Sequence, residues 1–258
     1  MRTVWTRSAI AAVALIARGE QAHAAIGCTL SNPAQDLKYL FPDLTTYREE
    51  VRELARLPDG PRLFQLLRDR VGSDLDPIYE TYETPYTLYT VFKGQESIGL
   101  VHGVNVPGAG GVIQVFLSVD PATGSIRELF FQRIESPAAK LLRGKEFRAQ
   151  FAGLTLADFY RHDYYAAADP QSASDRLGRL WLPPEDSKGR TDAAAALRGV
   201  RKNLILLDIF LFGQRNEVFY QRAREALARL GASGTGPPPG QPSPPAAAPA
   251  PQRREEPR

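Results

Sequence analysis

The chain has 258 residues and a formal net charge of +3, which corresponds to one domain or a small pair. Its basic residues are spread along the chain without a block of like charge, so the sequence does not favour binding to nucleic acid. Cys28 is the only cysteine, which excludes an internal disulfide, a C-x-x-C-H haem attachment and a zinc site made of cysteines.

Residues 1–24 predict an export signal. "MRTVWTR" is a basic segment, "SAIAAVALIA" is an apolar core too short to span a bilayer, and Ala22-His23-Ala24 fits an A-x-A cleavage site. We therefore expect secretion by the general route and a soluble periplasmic protein that begins at Ala25. One alternative is a short buried N-terminal helix. Another is a diacyl anchor on Cys28, although its "AIG" box lies well past the apolar core.

The C-terminal segment 231–258 is rich in proline and alanine and contains no aromatic or large aliphatic residue. Such a composition cannot bury enough apolar surface to offset the entropy of ordering, so we predict a disordered tail. Residues 25–230 remain, and they are enough for one domain with a sizeable core.

Four β-rich runs lie in the middle of the chain: "PYTLYTVFK", "SIGLVHGVNV", "VIQVFLSV" and "SIRELFFQRI". Turn compositions such as "PGAGG" and "DPATG" separate them. In the third run, apolar residues alternate with polar ones, which is typical of a strand. Because consecutive strands with short connections are antiparallel neighbours, we predict an α+β fold. It consists of an antiparallel β-meander of about four strands packed with flanking helices.

Helical patterns lie on both sides of the strands. Asn32 is a candidate N-cap for the first helix, and Thr155 with Asp158 forms a candidate capping box for "LADFYRHDYYAAA". A long helix is predicted from Asp192 to about Phe212, and Asp208 interrupts its apolar second half. "EVFYQRAREALARL" predicts one more amphipathic helix after it.

Most motifs of catalysis and metal binding are missing. After the signal segment only His102 and His162 remain, so there is no H-x-x-x-H zinc helix, and we expect no metal. His102 lies in the middle of a predicted strand, where a packed or hydrogen-bonded histidine is expected. Ser136 and Lys140 match the S-x-x-K spacing of serine acyl hydrolases. The companion K-T-G strand is absent, so acyl transfer is a minor alternative.

Two short segments each allow a structural and a functional interpretation. The cluster that ends in Gly110 and Gly111 is either a hairpin loop that needs positive φ or a loop where backbone approaches a flat ligand. Glu135-Ser136-Pro137 is either a helix cap or part of a ligand site.

In their order along the chain, these segments resemble the FMN-binding domain family. That family includes the periplasmic C subunit of sodium-translocating NADH:quinone reductase and the G subunit of the Rnf complex. The resemblance covers about Leu37 to Phe212. It rests on Phe41-Pro42, Gly108/Gly110/Gly111, Asp120/Gly124, Glu135-Ser136-Pro137 and Phe147/Gln150-Phe151/Gly153.

The family's signature, Asp-x-[Ser/Thr]-Gly-Ala-Thr, precedes the last helix, and in some members its threonine carries FMN covalently. Here "DSKGRT" matches at Asp186, Gly189 and Thr191 and departs at Lys188 and Arg190. A helix start can bind phosphate through its free N–H groups, and both departures add positive charge. Because an arginine beside the acceptor threonine is a bulky change for an attaching transferase, noncovalent FMN is favoured over a covalent link at Thr191.

The resemblance implies an exported electron-transfer flavoprotein, not an enzyme that turns over a substrate, with membrane or periplasmic redox proteins as partners. The cofactor would supply the chemistry while the protein sets its position and potential. A flavin-free interaction module that keeps the fold is the alternative. The residues that the resemblance implies for FMN binding are Gly110, Gly111, Glu135, Ser136, Lys188, Gly189, Arg190 and Thr191.

Overall fold

A computed structural model of the chain describes residues 28–71, 81–185 and 187–233. The fold is α+β, with one antiparallel sheet whose five strands follow the chain order β1-β2-β3-β4-β5. The predicted meander is confirmed, but the sheet has five strands where about four were predicted. The strands are β1 Thr46–Glu53, β2 Pro85–Lys93, β3 Glu96–Gly108, β4 Gly111–Val119 and β5 Ile126–Ile134.

The additional strand, β1, has a composition that hides it from a hydrophobicity pattern. Five of its eight residues, "TYREEVRE", are charged, and it pairs with β2 alone. Charged side chains on an edge strand protect its unpaired backbone groups against association with other chains. The charges that hide this strand from a hydrophobicity pattern therefore fit its position at the edge of the sheet.

Helices precede and follow the sheet, and the predicted caps are present where they were expected. Asn32 accepts a hydrogen bond from the backbone N–H of Gln35, and Thr155 and Asp158 form the capping box. The helices of the described residues are α1 Pro33–Leu40, α2 Gly60–Val71, α3 Ala139–Leu142, α4 Lys145–Ala149, α5 Leu156–Ala168, α6 Lys188–Phe210 and α7 Glu217–Ser233. A 3₁₀ turn, Leu54–Arg56, follows β1.

The sheet is covered on both faces. One face packs against α6 and the other helices in the main core, which includes Ile113, Val115 and Leu117 of β4. The opposite face carries a second cluster, in which Phe116 packs with Phe41 and Cys28. Cys28 is 1% exposed, and burial raises the pKa of its thiol to about 12. A diacyl group on Cys28 would require this residue to leave the cluster.

The central helix, α6, begins earlier than the sequence predicted. Ser187 is its N-cap, with a side chain that accepts from the backbone N–H of Arg190, and the helix starts at Lys188 and not at Asp192. Thr191 therefore lies in the first turn of the helix. Asp208, which interrupts the apolar half, pairs with the buried Arg70 of α2 at 2.9 Å, and this ion pair explains a charge at that position.

The C-terminal helix α7 continues to Ser233, so the first three residues of the predicted tail, which begins at Gly231, are helical. The predicted signal segment and residues 234–258 lie outside the described residues. None of the described helices combines the length and hydrophobicity that crossing a membrane requires.

Candidate functional site

A buried carboxylate joins three segments that are far apart in the sequence. The side chain of Asp192, in α6, is completely buried. It accepts a hydrogen bond from the Ser136 hydroxyl after β5 and another, of 2.6 Å, from the backbone N–H of Ala109 between β3 and β4. The two loops singled out in the sequence therefore meet at the start of α6. We call this arrangement the Asp192 clasp.

The conformation and packing of the β3–β4 loop require glycine at positions 110 and 111. A Cβ on Gly110 would lie 1.9 Å from the backbone carbonyl oxygen of Glu135. Gly111 has φ +134°, a conformation that other residues rarely adopt. Glu135 packs against both glycines and pairs with Arg133 at the surface. In one of the two interpretations of this loop, its backbone approaches a flat ligand. In the structure, the backbone of Gly110 instead approaches the segment that contains Glu135.

The residues of "DSKGRT" lie on the outer side of the same helix start. Thr191 is exposed. Gly189 faces Pro183 and Ala138: a Cβ added to this glycine would lie 3.3 Å from the Cβ of Pro183 and 3.5 Å from the Cβ of Ala138. Arg190 points the other way, since it lines a cleft beside the helix. Asp186 and the side chain of Lys188 lie outside the described residues.

This cleft, which we call the cationic cleft, has a volume of about 660 Å³. It lies between α5, the connection that leads to α6, and α6 itself. Among the described residues, its lining contains three arginines and one histidine and no acidic side chain. The polar and aromatic residues of this lining are Phe159, His162, Trp181, Arg190, Arg198 and Arg201.

Within the part of the chain that the structure describes, Arg198 has no carboxylate partner and Arg190 has only a distant one. Arg201 is neutralised by Asp163, with two N–O distances of 2.9 Å and 2.7 Å. Arg198 makes one hydrogen bond within the described residues, of 3.4 Å to the carbonyl oxygen of Pro107. Arg190 approaches the exposed Glu185 only to 3.8 Å. The cleft therefore carries a positive charge that the described residues do not offset.

An exposed tryptophan stands at the mouth of the cationic cleft. Trp181 is 56% exposed, yet its backbone is fixed on both sides by one amide. The Gln150 side chain accepts from the Trp181 N–H at 2.8 Å and donates to its carbonyl oxygen at 3.1 Å. Gln150 belongs to a segment that supports the family resemblance, and its side chain fixes the backbone of Trp181.

His162, a residue of the lining, is paired with an aspartate that does not itself line the cleft. His162 Nδ1 lies 2.7 Å from Asp175 Oδ2, and the backbone N–H of Gly178 donates to the other oxygen of Asp175 at 3.0 Å. Burial raises the pKa of Asp175, but the hydrogen bonds from Gly178 and His162 outweigh it and hold the pKa below its usual value. Asp175 is therefore ionised at neutral pH and orients the imidazole ring.

The other candidate residues have structural partners. Ser136 lies before α3, and its hydroxyl donates a hydrogen bond to the Asp192 carboxylate. The geometry therefore gives no support to proton transfer from Ser136 to Lys140. His102 is fully buried and bonds through Nδ1 to Asn203 Oδ1 at 2.7 Å, as expected for a packed histidine. No group of three or more potential metal ligands occurs among the described residues.

Of the residues that line the cationic cleft, only Arg190 was identified as a site residue from the sequence; the polar residues and the exposed tryptophan that were missed are His162, Trp181, Arg198 and Arg201. They come from α5, the connection before α6, and α6, so no local spacing joins them. The one available signal was Trp181, a tryptophan in a loop between "LGRL" and two prolines, because loop aromatic residues often contribute to binding.

No family model and no curated protein matches the chain. The fold and the site together define an α+β protein with a five-stranded meander, whose central helix begins beside a cleft that carries net positive charge.

Proposed function

We propose that this chain is an exported flavoprotein that binds FMN noncovalently in the cationic cleft and transfers electrons in the periplasm. The observation that carries the proposal is the absence of any acidic side chain from the described lining of a cleft that contains Arg190 and Arg198 beside the exposed Trp181. Arginine without a close carboxylate partner is suited to a phosphate group, which it can bind through two parallel N–H donors.

The residues present fit FMN in size and in chemistry. A volume of about 660 Å³ lies within the range of about 300–1,000 Å³ that is usual for small-ligand sites. Arg190 lies in the first turn of α6, at the positive end of the helix dipole, which favours an anion. Trp181 offers a ring face for a planar group. When bound, FMN supplies one- and two-electron chemistry.

The chain's own residues would bind and orient the ligand. Arg190 and Arg198 neutralise its phosphate charge, and Gln150 holds the Trp181 backbone so that the ring keeps its place. The Asp192 clasp, which includes Ser136, fixes the start of α6 against the sheet. Gly110, Gly111, Glu135 and Ser136 are not among the residues that line the cleft. The electron partners are proposed to be membrane or periplasmic redox proteins, as the resemblance implies.

A second candidate function is a flavin-free interaction module. It is favoured by one observation: the space next to Gly110 and Gly111 is filled by Glu135, so these glycines do not provide an opening for a ligand. The two functions are distinguished by whether the protein binds flavin.

The test is a titration with FMN that uses Trp181 as the reporter. The chain has two tryptophans, Trp5 and Trp181. Trp5 lies in the predicted export signal, and for protein purified with that segment a Trp5→Phe variant leaves Trp181 as the source of indole fluorescence. FMN is expected to quench this fluorescence, whereas riboflavin, which lacks the phosphate, should require a higher concentration. If millimolar FMN leaves the fluorescence unchanged after correction for absorbance, and the purified protein is colourless, the flavin proposal is wrong and the interaction module is favoured.

A further inference from the structure

The His162–Asp175 pair faces the same cleft as the two arginines that lack close carboxylate partners. Its geometry is that of an oriented imidazole: Asp175 accepts at Nδ1 over 2.7 Å and is itself held by Gly178. The side chain of His162 is 36% exposed while that of Asp175 is 7% exposed, so the ring borders the cleft and the carboxylate lies behind it. With Nδ1 engaged, Nε2 is the nitrogen that can exchange a proton with the cleft.

We infer that His162 is a third anion-binding residue of the cationic cleft, and that binding of a phosphate group there draws one proton onto its imidazole. The ligand class is a phosphate monoester or inorganic phosphate. The balance is simple: a proton leaves the buffer and binds to Nε2, and no covalent bond to the ligand forms or breaks. The inference rests on the cleft of the proposed function, but it does not require that the phosphate belong to a flavin.

The charges around His162 explain the coupling. From α6, Arg190, Arg198 and Arg201 line the same cleft, and among the described carboxylates only that of Asp163 lies at hydrogen-bond distance from one of them, Arg201. A negative charge close to an imidazole favours its protonated form. A bound phosphate offsets the arginine charge, and the protonated ring then gains a second anionic partner.

The remaining charged neighbours of His162 lie on its own helix and on the adjoining connection. On α5, Asp163 is paired with Arg201, and Arg161 is paired with Asp158. On the connection, Arg176 also pairs with Asp158, at 3.1 Å. Each of these groups already has an oppositely charged partner. We therefore expect a bound ligand to change the protonation of His162, because histidine is the side-chain type that changes charge between about pH 5 and pH 8.

The experiment is calorimetry of phosphate and of FMN binding at neutral pH in buffers with different ionisation enthalpies. The dependence of the measured enthalpy on the buffer gives the number of protons taken up for each ligand bound. We expect the unmodified chain to take up more protons for each ligand bound than His162→Gln, which binds more weakly; the ionisation of the ligand's own phosphate contributes to both values and cancels in their difference. Arg179→Gln removes an exposed charge that does not line the cleft and should leave both quantities unchanged.

The outcomes separate this inference from the flavin proposal. FMN binding without proton uptake, or with equal uptake in His162→Gln, overturns the role of His162 and leaves the flavin proposal standing. Phosphate binding with uptake that depends on His162, in a protein that does not bind FMN more tightly than phosphate, supports His162 and removes the flavin. If neither ligand binds at millimolar concentration, both proposals are overturned.

Discussion

Ser136 and Asp192, which are 56 positions apart in the chain, share a hydrogen bond in which the hydroxyl donates to a completely buried carboxylate. Ala109 donates its backbone N–H to the other oxygen of Asp192. Because both oxygens are engaged, the negative charge inside the fold has polar partners, and the start of α6 is fixed to the sheet. The contact between Ala109, Ser136 and Asp192 positions the start of α6 and thereby the cationic cleft beside it, although none of these three residues lines the cleft.

The first prediction concerns this clasp. Ser136→Ala leaves one oxygen of a buried carboxylate without its donor, and we expect the free energy of unfolding to fall by about 1–3 kcal/mol. Urea denaturation measures this change. Ser174→Ala, at an exposed position of the connection before α6, is the control and should change the stability by less than about 0.5 kcal/mol. Equal midpoints for the two variants would show that the clasp contributes nothing.

A second prediction uses the glycine that lies against Glu135. In Gly110→Ala the new Cβ would lie 1.9 Å from a backbone oxygen, so β5 and the β3–β4 loop must separate. We expect a loss of about 3 kcal/mol in the free energy of unfolding, the upper part of the usual range for overpacking. Gly231→Ala in α7 meets nothing within 4 Å and should stabilise the protein by about 0.5–1 kcal/mol. A Gly110→Ala variant as stable as the unmodified chain would contradict the packing described here.

The sequence predicted the elements that have a regular apolar pattern or a capping residue. The runs that became β2 to β5 and the capping box of Thr155 and Asp158 are of this kind, since alternation and caps are local properties. β1 was missed because its charges belong to an edge position, which only the assembled sheet defines. The start of α6 was placed four residues late because Asp192 looked like a helix start, whereas the hydroxyl of Ser187 caps the helix.

The candidate site was predictable only in part, for a related reason. Arg190 was identified because it stands beside a motif, and it does line the cleft. Arg198 lies eight residues further along α6, and His162 lies on another helix. These residues come together because α5 packs against α6, and no regular spacing in the sequence indicates that contact. The partner of His162, Asp175, lies 13 residues away, in a connection without periodic structure.

The third prediction is a dependence of stability on pH that arises from His102. Burial lowers the pKa of this histidine from its usual 6.5 to about 4, although the hydrogen bond to Asn203 acts in the opposite direction. Because the folded pKa lies below the unfolded one, the neutral ring favours the folded state at pH 7. This contribution decreases as the pH falls from 6.5 towards 4, when the unfolded chain binds a proton that the folded chain excludes.

The size of this effect follows from about 1.36 kcal/mol for each pKa unit, which gives a loss on the order of 3 kcal/mol between neutral pH and pH 4. His102→Gln retains a hydrogen-bonding group for Asn203 but cannot be protonated. Urea unfolding at a series of pH values should show a smaller acid-induced loss for this variant than for the unmodified chain. Parallel curves for the two proteins would mean that other groups govern the acid response.

The last prediction separates a salt-bridged cofactor from a tethered one. Arg190 borders the cationic cleft, while Thr191 is exposed on the adjacent first turn of α6. If FMN is bound noncovalently, Arg190→Ala removes a charge-assisted hydrogen bond to its phosphate and should weaken binding by about 1.5–3 kcal/mol, or roughly 10- to 150-fold. Thr191→Ala should then change the affinity far less, because its hydroxyl adds only a neutral hydrogen bond. Trp181 fluorescence measures both affinities in the Trp5→Phe background. If instead the purified protein keeps a yellow colour after acid precipitation and Thr191→Ala loses it, the link is covalent, and the arginine beside the acceptor threonine does not prevent attachment.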